Sequence, residues 1–224
     1  MKRTSKPVAV LLSLALAFSA SAQAAVEGVD YTVLNKPIPQ RDASKIEVLE
    51  FFGYFCIHCQ NFDPVLLSYS KTFPKDVYLR TEHVVWMPEM LGLARVAAAV
   101  NASGLKYQAN PAIFKAVHEQ KINLADTATF KSWAAAQKSF DGKKLIAAYD
   151  APASLAAAKK MQSLTETYRI DGTPDVIVGG KYRIIFSSDW ANGQKIIGEL
   201  INQSPPRAFR QSRALTEFSQ TVSE

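Results

Sequence analysis

The chain has 224 residues, a formal net charge of +6, and hydrophobic residues at 48% of its positions. This length allows one large domain or one domain with an insertion, and the sequence shows no internal repeat and no low-complexity segment. Three of the positive charges lie in the first 24 residues, so +6 minus three leaves +3, evenly spread, on the rest of the chain. A charge this small argues against a nucleic-acid-binding protein.

The N-terminus has the pattern of a secretory signal peptide. It begins with three basic residues, Lys2, Arg3 and Lys6. Residues 8–20 then form an apolar run that is too short to span a bilayer comfortably, and Ala22 and Ala24 suit the −3 and −1 positions of a cleavage site. We therefore expect residues 1–24 to be removed. Because no cysteine lies at the junction and no other long apolar stretch follows, we expect an exported, soluble protein without a lipid anchor.

The first part of the remaining chain alternates strands with one helix. Residues 31–34 predict a short edge strand, and residues 46–52, rich in β-branched and aromatic side chains, predict a buried central strand. A helix should follow and run to about Phe73, with Pro64 kinking or restarting it. Residues 77–86 predict a further strand.

From residue 89 the composition shifts to alanine-rich helix, and strands return near the C-terminus. Helices are predicted over 89–103, 110–119, 126–140, 143–149 and 154–168. Two strands, over 175–178 and 182–186, are joined by a turn at Gly179-Gly180, and a last helix is predicted over 193–202.

This order predicts an α/β fold in which a helical block interrupts a mixed sheet, because neither part of the sheet is complete without the other. The predicted divisions are a signal peptide over 1–24, a first sheet part over 25–88, a helical insertion over 89–168, a second sheet part over 169–203 and a polar tail over 204–224.

The only two cysteines, Cys56 and Cys59, lie where the central strand breaks at Gly53 and a helix begins. The first N–H groups of a helix have no intrahelical partner, and its dipole is positive there, so a thiolate at Cys56 is stabilised and its pKa should fall. Cys59, one turn further in, could attack a mixed disulfide held at Cys56. His58 lies between them and, when it is protonated or donates an N–H, adds to the stabilisation.

A cysteine pair at this spacing can also form a structural disulfide or half of a zinc site. A structural disulfide would close a very short loop and so remove little entropy from the unfolded chain. A zinc site needs four ligands, and the remaining histidines, His83 and His118, are far apart in the sequence. Redox chemistry is therefore favoured, with no metal. In an oxidising compartment such a pair more often makes or shuffles disulfides than reduces them.

Two segments of the chain carry a resemblance to a known family. Val48-Leu49-Glu50-Phe51-Phe52 leading into Cys56-Ile57-His58-Cys59, and residues 168–174 leading into a strand, resemble the DsbA family of periplasmic thiol:disulfide interchange proteins. The resemblance implies a thioredoxin fold (a mixed central sheet flanked by helices) with an inserted all-helical domain.

The same resemblance implies a disulfide oxidase that needs no cofactor. Its Cys56–Cys59 disulfide would pass to reduced, unfolded, newly exported polypeptides, and a DsbB-like inner-membrane partner linked to quinones would restore it. The protein would be periplasmic and monomeric, and it would not bind nucleic acid.

Several site residues are implied by the resemblance alone. Cys56 would be the attacking and Cys59 the resolving cysteine, and Thr173-Pro174 matches a loop with a cis-proline that faces the active site and pairs with the substrate backbone. Glu50 and Asp63 match acids of the family that could relay a proton to or from Cys59.

The chain departs from the best-known family members at a few positions. Ile57 replaces a proline and, with His58, forms the dipeptide that tunes the thiolate. Thr173 replaces a valine found in some members. Relatives also carry a lysine in the strand near Arg80-Thr81, and residues 77–86 of this chain contain none.

Two alternative functions remain open at this point. One is a periplasmic isomerase or reductase, although only about 20 residues precede the central strand, too few for the extra dimerising domain of such isomerases. The other is a non-catalytic exported protein that binds a metal through Cys56, His58 and Cys59. Among the aromatic residues beside the site, Tyr54 is the one expected to be exposed for peptide docking.

Overall fold

The computed structural model describes residues 24–187 and 189–204. The predicted signal peptide, apart from Ala24, and the predicted tail after Ser204 lie outside these residues. Within the described ranges, no helix combines the length and the apolar character that crossing a membrane would require.

A five-stranded mixed sheet forms the centre of the molecule. Its strands are β1 (Tyr31–Val33), β2 (Ile46–Phe52), β3 (Val77–His83), β4 (Asp175–Val178) and β5 (Tyr182–Ile184). The spatial order is β1-β5-β4-β2-β3, with β2 and β3 parallel and every other pair antiparallel. All seven residues of β2 are buried because both faces of this strand are covered.

Helices flank the sheet and form the insertion between β3 and β4. They are α1 (Ile57–Ser70), α2 (Leu91–Ser103), α3 (Lys106–His118), α4 (Thr127–Ala135), α5 (Gly142–Asp150), α6 (Pro152–Thr167) and α7 (Trp190–Gln203). A short 3₁₀ turn, Pro88–Met90, precedes α2. The predicted α/β architecture with an inserted helical block is confirmed.

Some predicted element bounds are wrong. The strand expected to reach residue 86 ends at His83, because β2, its one partner among the described residues, ends at the register-paired Phe52. Helix α3 begins at Lys106 instead of residue 110 and contains Pro111. The proline removes one backbone hydrogen bond, and the stabilisation gained by burying the apolar face of the helix outweighs that loss. Helix α1 likewise continues through Pro64.

The alternation of side chains along β2 decides which face each residue serves. Val48 packs with Phe62 and Leu66 of α1, whereas Leu49 packs with Ile177 on the opposite face. Because successive strand residues point to opposite faces, Glu50 lies on the α1 face with Val48. The acid is therefore directed under the helix that begins at the cysteine pair. The insertion has a core of its own, which reaches Phe52 and Cys59.

A buried network of charges on the face of the sheet opposite α1 ties β3 to β2. Arg80 is 6% exposed, and its guanidinium contacts Glu47 at 3.3 Å and Glu82 at 2.5 Å. Arg41 also pairs with Glu82, at 2.7 Å, but its side chain is 58% exposed. The two carboxylates are therefore held by one buried and one exposed cation.

Replacing Arg80 with methionine should destabilise the protein by about 3–5 kcal/mol, because it leaves Glu47 with no cation in a buried position. Urea unfolding measures this difference. Arg41→Ala is the matched control and should cost about 0–1 kcal/mol, since an exposed pair is weak. Equal losses in the two variants would contradict the assignment of Arg80 as the buried anchor.

Candidate active site

The cysteine pair lies at the junction of β2 and α1, as predicted. After β2 a turn brings the Cys56 N–H to the Gly53 carbonyl oxygen at 2.9 Å, and Cys56 becomes the N-cap of α1. Its Sγ accepts the Cys59 N–H at 3.3 Å, which is the bond that an N-cap side chain makes. Cys56 is half-buried, Cys59 is fully buried, and both are free thiols.

The loop predicted to face the cysteines does so. The Thr173-Pro174 peptide bond is cis, and the Thr173 carbonyl oxygen lies 3.4 Å from the Cys56 Sγ, where it accepts a hydrogen bond when Cys56 is a protonated thiol. The two segments are 117 positions apart in the sequence, and the whole helical insertion lies between them. The sheet brings them together because β4, which follows Pro174, pairs directly with β2.

The surroundings of the two thiols separate their acidities. The pKa of Cys56 is lowered to about 5, chiefly by a hydrogen bond from the Cys59 side chain. Burial acts in the opposite direction, and the Thr173 side chain and the N–H groups of Cys59 and His58 lower the pKa further. Burial raises the pKa of Cys59, and the neighbouring Cys56 and Glu50 raise it further. Cys56 is therefore the thiolate and Cys59 the protonated thiol near neutral pH.

The two residues between the cysteines are on the surface. Ile57 is 50% exposed, and His58 is exposed with its ring centroid 6.2 Å from that of Trp190. The contribution of His58 to the acidity of Cys56 that can be traced in the structure comes from its backbone N–H. Tuning by the His58 imidazole and by Ile57 stays a prediction.

Both predicted acids lie buried beneath the cysteines. Burial raises the pKa of Glu50 to about 8, with a further increase from the charge of Asp63. Burial also raises the pKa of Asp63 to about 6, although Asn110 donates a hydrogen bond to it at 2.7 Å. Asp63 is 5% exposed, so it is a buried acid and not an exposed one in the first turns of α1.

A cation next to these acids comes from a part of the chain that the sequence did not indicate. No lysine lies in β3, but Lys106 at the start of α3 is close enough to Glu50 and Asp63 for its charge to lower their pKa values. Its own pKa is lowered to about 8 by burial. No local sequence signal marks Lys106, because its proximity depends on how the insertion packs.

The expectation that Tyr54 is exposed is wrong. Tyr54 is fully buried, its ring packs against Phe52 and Phe114, and its hydroxyl donates to the Asn110 Oδ1 at 2.8 Å. A buried phenol needs a polar partner, and α3 supplies it. The apolar side chains that are exposed near the site are instead Ile57, Trp86 and Met87.

A neutral histidine holds the turn that leads to Cys56. His83 is buried, and its Nε2 accepts the Tyr54 N–H at 3.0 Å while Nδ1 lies 2.7 Å from the Val84 carbonyl oxygen. Burial lowers its pKa to about 4, so the neutral ring donates from Nδ1 and accepts at Nε2. In the part of the chain that the structure describes, no group of three or more His, Cys, Asp and Glu side chains is arranged to hold a metal ion.

The chain is similar to known proteins over most of its length. A family model for the DSBA-like thioredoxin domain matches residues 47–197. The thiol:disulfide interchange protein DsbA of Bordetella parapertussis is 32% identical over 177 residues, which cover 78% of this chain and 84% of that protein.

Solved structures extend the similarity to the three-dimensional fold. The oxidoreductase NmDsbA1 from N. meningitidis is 54% identical with a TM-score of 0.78, and the match covers 83% of this chain and 96% of that one. The oxidoreductase NmDsbA3 from Neisseria meningitidis is 63% identical with a TM-score of 0.75, covering 85% of this chain and all of that one.

The stability of the reduced protein should depend on pH through Cys56. The pKa of this thiol falls from its ordinary value of 9.0 to about 5 on folding. The thiolate therefore contributes stability that is fully present above about pH 9 and is lost as the pH falls through about 5. The melting temperature of the reduced protein minus that of the oxidised protein should therefore decrease as the pH is lowered from about 9 to about 5.

Calorimetry of both forms measures this difference, and the thiolate absorbance near 240 nm should titrate with a midpoint near pH 5. Cys56→Ser, which cannot form the thiolate, should lose the pH-dependent component. An absorbance midpoint close to the ordinary value of 9.0 would contradict the assignment of the acidic thiol.

Proposed function

Since this chain belongs to the DSBA-like thioredoxin domain family and is a thiol:disulfide oxidoreductase acting as a disulfide oxidase, we propose that it donates a Cys56–Cys59 disulfide to newly exported, unfolded polypeptides. The observation that carries this assignment is the placement of Cys56. Its sulfur caps α1, has a pKa near 5 and faces the Thr173 carbonyl. A thiolate this stable is a good leaving group, which favours transfer of the disulfide to a substrate.

The proposed transfer takes two exchange steps. A substrate thiolate attacks the Cys56 Sγ of the oxidised pair, a substrate–Cys56 bond forms, and the Cys56–Cys59 bond breaks with Cys59 leaving as a thiolate. A second substrate thiolate then attacks the substrate sulfur of this mixed disulfide and displaces Cys56. Two electrons pass from the substrate to the cysteine pair, and the substrate keeps the disulfide.

The departing Cys59 needs a proton, because its thiolate is buried and its pKa is raised. We propose that Glu50 supplies it. Its pKa of about 8 keeps the proton bound near neutral pH, and it acts on Cys59 from the same face of β2 that α1 covers. When the pair is oxidised again, the same carboxylate accepts the proton from Cys59, and Asp63 modulates this exchange through its charge.

Substrates would dock around the exposed edge of Cys56. We propose that Thr173 and the cis Pro174 present their backbone to an extended substrate chain, and that exposed Ile57, Trp86 and Met87 contact its apolar side chains. Such contacts recognise unfolded chain rather than a particular sequence. Ile57 and His58 would tune the stability of the neighbouring thiolate.

The proposal places the protein in the periplasm as a soluble monomer, after removal of residues 1–24. Reoxidation would follow the same chemistry in reverse: the Cys56 thiolate attacks a disulfide of a DsbB-like inner-membrane partner, and Cys59 then displaces that partner. Quinone would take the electrons from the partner. The division of the chain at residues 25–88, 89–168, 169–203 and 204–224 is part of the same proposal.

The oxidised protein should convert one equivalent of a reduced dithiol peptide to its disulfide, followed by mass spectrometry. Cys56→Ser should be inactive. Cys59→Ser should instead accumulate a mixed disulfide at Cys56 when it is given a peptide disulfide, because no resolving thiol remains. In glutathione buffers, reduced protein should persist where glutathione is largely oxidised. A Cys56–Cys59 disulfide that survives excess reduced glutathione would contradict the oxidase assignment.

Replacing Glu50 with glutamine should slow peptide oxidation by about tenfold or more, because general acids of this kind contribute roughly 10²–10⁴ in rate. The loss should be greatest below pH 8, where Glu50 holds its proton. Stopped-flow fluorescence measures the rate. Glu47→Gln is the matched control, since Glu47 is buried on the opposite face of β2; an equal slowing there would show that the effect is not proton transfer.

A further inference from the structure

A buried line of hydrogen bonds joins the helical insertion to both ends of the active-site turn. The Tyr54 hydroxyl donates to the Asn110 Oδ1 at 2.8 Å, and the Asn110 Nδ2 donates to the Asp63 Oδ1 at 2.7 Å. The three side chains are no more than 5% exposed. Asn110 belongs to α3 of the insertion, whereas Tyr54 precedes Cys56 and Asp63 follows Cys59.

The two bonds fix the orientation of the Asn110 amide. Tyr54 needs an acceptor for its hydroxyl, since burial raises its pKa and keeps the phenol protonated. The carbonyl end of the amide therefore faces Tyr54, and the NH₂ end faces Asp63. A flipped amide would direct an oxygen at the Asp63 carboxylate and would leave the Tyr54 hydroxyl without Asn110 as its acceptor. Asn110 is thus a fixed donor to Asp63, and a donor favours the ionised form of a carboxyl group.

The state of Asp63 acts on Glu50. These carboxyl groups share one buried region, so a charge on Asp63 disfavours a second charge on Glu50. The other groups that act on the pair are the ammonium of Lys106 on α3, which favours ionisation, and the Cys56 thiolate, which disfavours it at Glu50. Glu82 and Arg41 act on Lys106 with opposite signs. With Lys106 neutralising one carboxylate, the pair holds one charge and one proton.

We propose that Asn110, supplied by the helical insertion, is a positioning residue that keeps the charge on Asp63 and thereby keeps the proton on Glu50, beneath Cys59. The proposal rests on the proton relay assigned to Glu50 above and explains how the carboxyl nearer the thiols remains the one that carries the proton. It gives the insertion a part in the chemistry through α3, in addition to the apolar packing that buries Cys59.

The direct test is titration of the two carboxyl groups by ¹³C NMR of the reduced protein, with Glu50→Gln and Asp63→Asn used for assignment. In Asn110→Leu, Asp63 should titrate higher and Glu50 lower than in the wild type, each by about one unit. Opposite movements are the signature of a redistributed proton. Unchanged midpoints, or movements in the same direction, would overturn the proposal.

Two further variants separate this role from simple packing. Asn101→Leu is the matched control: Asn101 also joins the insertion to the sheet, through its bond to the Thr81 carbonyl oxygen at 2.9 Å, but among the described residues its side chain forms no hydrogen bond with an acid. It should lose stability without moving either titration, and the same carboxyl shifts there would refute the proposal. Tyr54→Phe removes only the group that orients Asn110, so it should shift Asp63 upward even where Asn110→Leu folds poorly; an unshifted Asp63 would refute it.

A kinetic measurement links the titrations to function. The ratio of the variant rate to the wild-type rate of peptide oxidation removes the effect of ionisation of the peptide thiol. For Asn110→Leu this ratio should fall progressively as the pH rises from about 6 to about 8, because Glu50 loses its proton at a lower pH in the variant than in the wild type. In the Asp63→Asn background, Asn110→Leu should have no further effect on this ratio. An undiminished effect there would refute the proposal. If Glu50→Gln is fully active while Asn110→Leu still shifts the titrations of Asp63 and Glu50, the proton relay from Glu50 to Cys59 is refuted. The effect of Asn110 on the charge of the two acids would then stand without it.

Discussion

The stability of the Cys56 thiolate is the constraint on which the other parts of the site depend. A half-buried sulfur anion is stable only where donors converge on it, and they come here from the Cys59 thiol, the Thr173 side chain and the N–H groups of His58 and Cys59. Three of these groups are local to the start of α1. The fourth requires the sheet to bring β4, and the loop before it, to β2. Helix capping and strand pairing therefore act on the same atom.

Two sets of buried charges lie on opposite faces of the sheet. They differ in how closely each carboxylate is paired with a cation. Glu47, Arg80 and Glu82 contact one another directly, which ties β3 to the sheet. On the α1 face, Glu50 and Asp63 share the influence of Lys106 without an ion pair of that closeness among the described residues. Directly paired charges keep one protonation state. Incompletely paired carboxyl groups titrate near neutral pH, where a proton must move during disulfide exchange.

The helical insertion does more than cover one side of the sheet. Its core continues into Phe52, Tyr54 and Cys59, so burial of the second cysteine depends on it. Through α3 it also supplies Asn110 as the polar partner of Tyr54 and Lys106 as a cation whose charge acts on the buried acids. The insertion therefore has the contacts needed to influence the acidity of Cys59 and the position of the turn before Cys56.

The local sequence determined the strand–turn–helix around the cysteines and the interruption of a mixed sheet by helices. Periodicity, turn residues and the cysteine spacing are local signals, and the family resemblance added the candidate acids Glu50 and Asp63 and the cis bond at Pro174. The roles of Lys106 and Asn110, the burial of Tyr54 and the end of β3 at His83 were decided by tertiary structure. Each depends on a partner distant in the chain, and the packing of α3 against α1, rather than any nearby residue, sets which polar groups meet around Asn110.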